Sequence, residues 1–290
     1  LTLFEQALPV LSELPESPET LAQTTDVRLA LATTLSQTRG PGSPEAEASY
    51  LCARELAERF GEPTRLYQAL WGLWYVNLGR GQYLSARELG EQLLVIAQRE
   101  NDTGRLLEAH HALWPTLSAM GEPTAALLHL EQGLALYDPE QHASQALLYG
   151  GHDAGVCCRF HLSRTQWVLG YPDRAAATMR EALGLAERLA QPTTLALTLA
   201  FAAIGQYELG EWRDARKSGE RLHAIAETHG LTAPARDSLV YQFCAGVREG
   251  GEGHFEQAFD AVMQGTIYGP VNRWVETRLL LADAASAVGD

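Results

Sequence analysis

One phrase recurs through the chain: a glycine, an aromatic residue or proline two positions on, and an alanine five positions on. It appears as Gly81/Tyr83/Ala86, Gly121/Pro123/Ala126, Gly170/Pro172/Ala175, Gly210/Trp212/Ala215 and Gly253/Phe255/Ala258, with glycine-to-glycine intervals of 40, 49, 40 and 43 residues. A near-constant period of this length marks a repeat architecture and decides the fold class before any single element is placed. Each glycine closes one apolar-periodic stretch and opens the next, as a helix stop followed by a helix start does.

Seven residues past each repeat alanine stands a small residue or leucine: Leu93, Gly133, Ala182, Leu222 and Gly265. Positions seven apart share one helix face, so each second helix offers its partner a stripe that permits close packing. Proline inside a helix costs about 3 kcal/mol and belongs at junctions. Only Pro9 and Pro115 fall away from the expected helix ends; Pro115 is expected to kink its helix, and Pro9 to end or bend the first one.

The pattern predicts a helix at about 1 to 14, then pairs at about 19–39/44–60, 63–79/82–99, 103–120/122–138, 153–169/172–189, 193–209/211–229 and 233–249/254–266, and a last helix from about 271. One long connection, roughly 138 to 152, accounts for the 49-residue interval. Alternating β-branched runs with hairpin signals are absent. The expectation is therefore all-α: one continuous right-handed α-solenoid over 1–290, built of antiparallel helical hairpins, with no linker dividing it.

Thirty-six acidic and 22 basic residues leave a net charge of -14. That field repels phosphate backbones and anionic headgroups, so neither nucleic acid nor a membrane surface is an expected partner. No run of about eighteen apolar residues suggests a membrane span. Cys52, Cys157, Cys158 and Cys244 lack the spacing of a disulfide framework, and reduced thiols in a cytoplasmic compartment are the simpler expectation. The chain starts at Leu1 within an expected helix, which reads as a piece of a longer protein.

The Gly-x-aromatic-x-x-Ala phrase with its small residue downstream resembles the tetratricopeptide repeat, with longer hairpins than that repeat's usual unit. Local phrases carry a closer likeness: LPESPET at Leu14 to Thr20, LWGLW at Leu70 to Trp74, ARELGEQLL at Ala86 to Leu94, LEAHHALW at Leu107 to Trp114, HLEQGLALYDPEQH at His129 to His142, GHDAGVCC at Gly151 to Cys158 and LGYPDRA at Leu169 to Ala175. Together they resemble the tetratricopeptide-like C-terminal region of large bacterial signalling proteins that carry a class III adenylate/guanylate cyclase domain and a STAND-type AAA ATPase domain. The likeness covers about residues 1 to 205 and fades after Gly210.

In that family the catalytic and nucleotide-binding parts precede the solenoid. This chain has no Gly-x-x-x-x-Gly-Lys-Ser/Thr phosphate loop, and Lys217, its one lysine, stands in no glycine-rich turn. The resemblance thus implies a regulatory or interaction module with no enzyme activity and no cofactor of its own. Trp114-Pro115 departs from the pattern, putting bulk and a kink where small helix residues are expected.

If the first helix of each pair lines a concave groove, as in tetratricopeptide arrays, the register turns Gln68, Trp71, Tyr75, Glu108, His111, Phe160, Arg164, Trp167, Tyr207, Glu208 and Phe243 toward it. Aromatics mixed with charges suit capture of a peptide segment, a partner domain of the same parent chain, or a small-molecule effector. The plainer reading packs many of them between helices; Arg164 and Glu208 resist that most.

The densest ligand-like group is His152, Asp153, Cys157, Cys158 and His161, with Asp153, Cys157 and His161 at i, i+4 and i+8. Three groups over two helical turns spread too far for one ion, so Asp153 reads as an N-cap and the thiols as buried apolar groups; a metal-dependent enzyme is the weakest alternative. His110, His111 and His129, on successive helices, read as hydrogen-bonded interior or groove histidines. The first helix (Leu1, Leu3, Phe4, Leu8, Leu11) and the last (Trp274, Val275, Leu279, Leu280, Leu281) both look uncapped, which predicts further domains or self-association over them.

Overall fold

The structure is a computed structural model that describes residues 1–250 and 279–286. Among the described residues it is all helical with no strand. The order is α1 (Thr2–Glu13), α2 (Pro18–Arg39), α3 (Pro44–Phe60), α4 (Pro63–Gly79), α5 (Tyr83–Glu100), α6 (Thr103–Ala119), α7 (Pro123–Leu136), α8 (Pro139–His142), a 3-10 turn (Ala143–Leu147), α9 (Ala154–Val168), α10 (Pro172–Leu189), α11 (Pro192–Glu208), α12 (Trp212–His229) and α13 (Thr232–Arg248). Residues 279–286 are helical as well. The expected helix at 254–266, the fifth repeat phrase, and Trp274 and Val275 lie outside the described residues.

The repeat phrase has a local cause. Gly81, Gly121, Gly170 and Gly210 all take left-handed backbone, with φ of 73°, 77°, 87° and 77°. The residue after each donates its N–H to a carbonyl five positions back, as Glu122 does to Leu117 at 2.9 Å. This bond ends the first helix of each pair, and only glycine takes the required φ without strain. The next helix then starts on the aromatic or on proline, whose missing N–H costs nothing in a first turn that has no acceptor for it. The repeat alanines Ala86, Ala126, Ala175 and Ala215 are buried, as are Leu93, Gly133, Ala182 and Leu222 seven residues on.

Helices pack in sequence, each against its neighbour, and the first helices α2, α4, α6, α9, α11 and α13 also pack each against the next first helix. Comparable contacts do not link the second helices α3, α5, α7, α10 and α12. First helices therefore form the tighter inner layer of a curved array. The curvature brings α13 against α2, where the Thr232 hydroxyl donates to the Thr38 carbonyl at 3.1 Å.

Pro115 stays inside a continuous α6, and the bulk of Trp114 is taken up by the absence of a side chain at Gly133 on α7. The indole is fully buried. At the N-terminal end, α1 holds Phe4 and Leu8 against the core while Leu3 and Val10 stand exposed. No helix among the described residues is long and apolar enough to cross a membrane.

Candidate functional site

The long connection between α7 and α9 is an inserted segment that covers first helices of the N-terminal half. Tyr149 meets Tyr67 and Trp71 edge-on, at ring-centroid distances of 6.2 and 5.5 Å. Gly151, at φ 76°, sits so close to α2 that a β-carbon there would fall on the Gln37 amide. The segment is pinned at its far end, where the Asp153 N–H donates to the Thr194 hydroxyl of α11 at 2.9 Å.

The groove residues expected from the sequence divide into three groups. Trp71, Glu108 and His111 are buried and Tyr75 is half-buried, in the region the connection covers. Phe160 and Phe243 are buried in helix packing, with Phe160 stacked on Phe201 at 4.3 Å. Five of the eleven are therefore closed to an incoming ligand, Trp71, Phe160 and Phe243 among them because large apolar side chains between first helices gain more from packing than from facing water. Gln68 is half-buried.

Arg164, Trp167, Tyr207 and Glu208 come together on the C-terminal half. The Arg164 guanidinium pairs with the Glu208 carboxylate and lies 4.9 Å above the Trp167 ring. On one side of this pair is a hollow of about 340 Å³ lined by Trp167, Met179, Leu183, Phe201 and Asp214 among others. On the other is a shallower one of about 500 Å³ that reaches Tyr207, Trp212, Arg248 and Asp283. Arg164, Ile204 and Glu208 line both, so the two form one trough divided by an ion pair. Tyr207 closes its far wall by donating to Asp283 at 2.6 Å.

The covered half contains a second cluster, buried and polar. His111 Nδ1 lies 2.9 Å from Glu108 Oε2, and His111 Nε2 lies 3.3 Å from His152 Nε2. His152 Nδ1 faces the Gly150 carbonyl at 3.3 Å. The donor atoms of His111, His152 and Cys157 all lie within 4.8 Å of one another. Burial pushes both imidazoles down to about 3, with His111 adding to the effect on His152, so both rings are neutral. Burial also pushes the Glu108 carboxyl and the Cys157 thiol well up.

The cluster regroups the residues that sequence spacing put together. Asp153 caps α9, accepting from the Val156 N–H at 2.8 Å. Cys158 turns to the Leu130 carbonyl, and half-buried His161 packs against Phe160 and Phe201. His110 and His129 do meet, Nδ1 to Nδ1 at 2.8 Å, whereas His111 points elsewhere. The meeting of His111 with His152 was missed because His152 arrives from the connection, 41 positions away.

No family model matches the chain. An uncharacterised protein, R02095, from Rhizobium meliloti (strain 1021) is 24% identical over 241 residues, 82% of this chain. The chain spans 23% of that relative's length. Among solved structures, a Rap protein complexed with competence and sporulation factor matches all of the chain and 77% of its own, with a TM-score of 0.64 and 13% identity. A STAND (Signal Transduction ATPase with Numerous Domains) protein with a tetratricopeptide repeat sensor, from Pyrococcus horikoshii, matches all of the chain and 50% of its own, with a TM-score of 0.51 and 13% identity. The fold is thus that of the tetratricopeptide-like helical repeat proteins.

Proposed function

We propose that this solenoid is a non-catalytic interaction and regulatory module of a longer bacterial signalling protein, and that it takes a peptide segment or partner domain into the trough around Arg164 and Glu208. The observation that carries the reading is the trough itself: an aromatic and aliphatic floor crossed by the Arg164–Glu208 ion pair, between the first helices α9 and α11 and the second helices α10 and α12. An apolar floor supplies burial, and a charged bar that can re-pair with a ligand supplies register. The Rap protein, whose fold is similar, is complexed with competence and sporulation factor, which supports a binding role here. Attachment to a cyclase or STAND ATPase domain belongs to the proposal, and the exposed apolar side of α1 is where such a neighbour would pack.

A second reading has one specific support. The 340 Å³ hollow falls in the range of small-molecule sites, so an effector that fills it would make the module a sensor. Overlapping peptides from the remainder of the parent protein, titrated against this chain by fluorescence anisotropy, test the first reading. At least one is expected to bind, with a loss of tenfold or more in Trp167→Ala. Absence of binding by every peptide, together with a thermal shift from a metabolite library that Trp167→Ala abolishes, would favour the sensor.

A further inference from the structure

The facing imidazoles of the buried cluster pose a proton problem. If Glu108 is ionised it only accepts, so His111 Nδ1 carries the proton and His111 Nε2 is a lone pair. His152 Nδ1 faces a carbonyl, which makes it a donor and leaves His152 Nε2 a lone pair too. Two lone pairs at 3.3 Å repel unless a cation lies between them.

Two arrangements resolve this. In one, Glu108 is protonated and donates to His111 Nδ1, His111 Nε2–H donates to His152 Nε2, and His152 Nδ1–H donates to Gly150. In the other, a metal ion accepts both Nε2 lone pairs. Two imidazole nitrogens on a tetrahedral zinc at about 2.05 Å stand about 3.3 Å apart, the separation observed. The Cys157 thiol, within 4.8 Å of both rings, needs a shift of about 1 Å to complete three corners. One further group asks for the second arrangement. The buried indole N–H of Trp114 has no acceptor at full hydrogen-bond geometry and faces the Cys157 sulfur, which accepts far better as a thiolate than as a thiol.

We propose that His111, His152 and Cys157 bind one divalent transition-metal ion of the zinc class, with Glu108 and the Gly150 carbonyl orienting the two imidazoles. The carboxylate–imidazole–metal order is the usual outer-shell arrangement for such ligands. Three protein ligands leave the fourth corner to water or a small exogenous ligand. Charge and protons balance: the ion displaces the Cys157 proton and the His111 Nε2 proton, while the Glu108 proton passes to His111 Nδ1. One M²⁺ enters, two protons leave, and the buried net charge does not change. Because one ligand comes from α6, one from the connection and one from α9, the ion would fasten the inserted segment to the array.

The test uses the 290-residue chain, stripped of metal and titrated with Co²⁺ and then Zn²⁺. The expected result is one Co²⁺ per chain, a thiolate-to-cobalt charge-transfer band, strong tetrahedral visible bands, and their loss when Zn²⁺ displaces the cobalt. Cys157→Ser should remove the charge-transfer band and weaken binding at least tenfold, while Cys158→Ser changes neither. Glu108→Gln should weaken binding by 10- to 100-fold with the band retained. If wild type shows no charge-transfer band, or if Cys157→Ser keeps it, the proposal is overturned. The wild-type spectrum decides even where a variant fails to fold, and circular dichroism identifies such a variant.

Discussion

The indole of Trp114 occupies the space that a side chain at Gly133 would need: a β-carbon there would lie 2.6 Å from Trp114 Cζ3. Glycine inside a helix costs about 1 kcal/mol relative to alanine, so propensity alone favours Gly133→Ala. Overpacking costs about 1–3 kcal/mol and here acts on a fully buried ring. Gly133→Ala is expected to destabilise by about 1 kcal/mol and Gly133→Leu by more. Urea midpoints check this, and a double mutant with Trp114→Phe should recover part of the loss; an unchanged midpoint for Gly133→Leu would refute the contact.

A buried hydrogen bond across two repeats offers a second check. The Trp74 indole donates to the Thr116 hydroxyl at 2.9 Å, joining α4 to α6. Thr116→Val keeps the shape and strands the N–H, an expected cost of about 1–3 kcal/mol. Thr116→Ser should recover most of it. Denaturation monitored by tryptophan fluorescence separates the two.

The inserted connection should respond to Gly151. Alanine there meets both a positive φ and the Gln37 side chain, and strain of this kind costs about 1–3 kcal/mol. The expected outcome is faster limited proteolysis within residues 138–152 and little change elsewhere. Gln37→Ala added to Gly151→Ala should slow that cleavage again, since it removes the clash and leaves only the backbone strain.

At acid pH the weak point is the anchor of residues 279–286. Hydrogen bonds from Arg248 and Tyr207 hold the Asp283 carboxyl below its ordinary value of 3.8. A depressed carboxylate pKa contributes stability that is present above 3.8 and lost as pH falls through the folded value. The group is half exposed, so the effect is a fraction of a kcal/mol. Amide exchange in 279–286 should accelerate below pH 3.8 relative to the rest of the chain, and Asp283→Asn should abolish that difference.

The helical frame was legible because its signals are local. Proline at the first position of α2, α3, α4, α7, α10 and α11, and left-handed glycine at the repeat turns, act within a few residues of where they stand. The inner position of the first helices was expected from the likeness to tetratricopeptide arrays, and the first helices do pack on one another. Side-chain fates did not. Whether Glu108 meets water or His111 depends on a connection that carries no periodic pattern and was visible only as an overlong interval. Spacing along α9 set Cys157 beside His161, four positions on, without making them a pair; the fold brings it within 4.8 Å of His111 from α6 and His152 from the connection. Trp114 looked like a misfit until the residue accommodating it, nineteen positions away, came into view.

The contact between α13 and α2 changes what kind of object this array is. An open stack behaves as a line in which each unit feels only its neighbours, and a bend at one place leaves the far end free to swing. Once α13 touches α2, the stretch of line between them becomes a loop, and a loop conserves its total turning. Widening the trough at α9 and α11 must then be matched by narrowing between other pairs or by parting Thr232 from Thr38. If the trough takes a ligand as proposed, the seam between α2 and α13 is where the resulting change in turning would be felt.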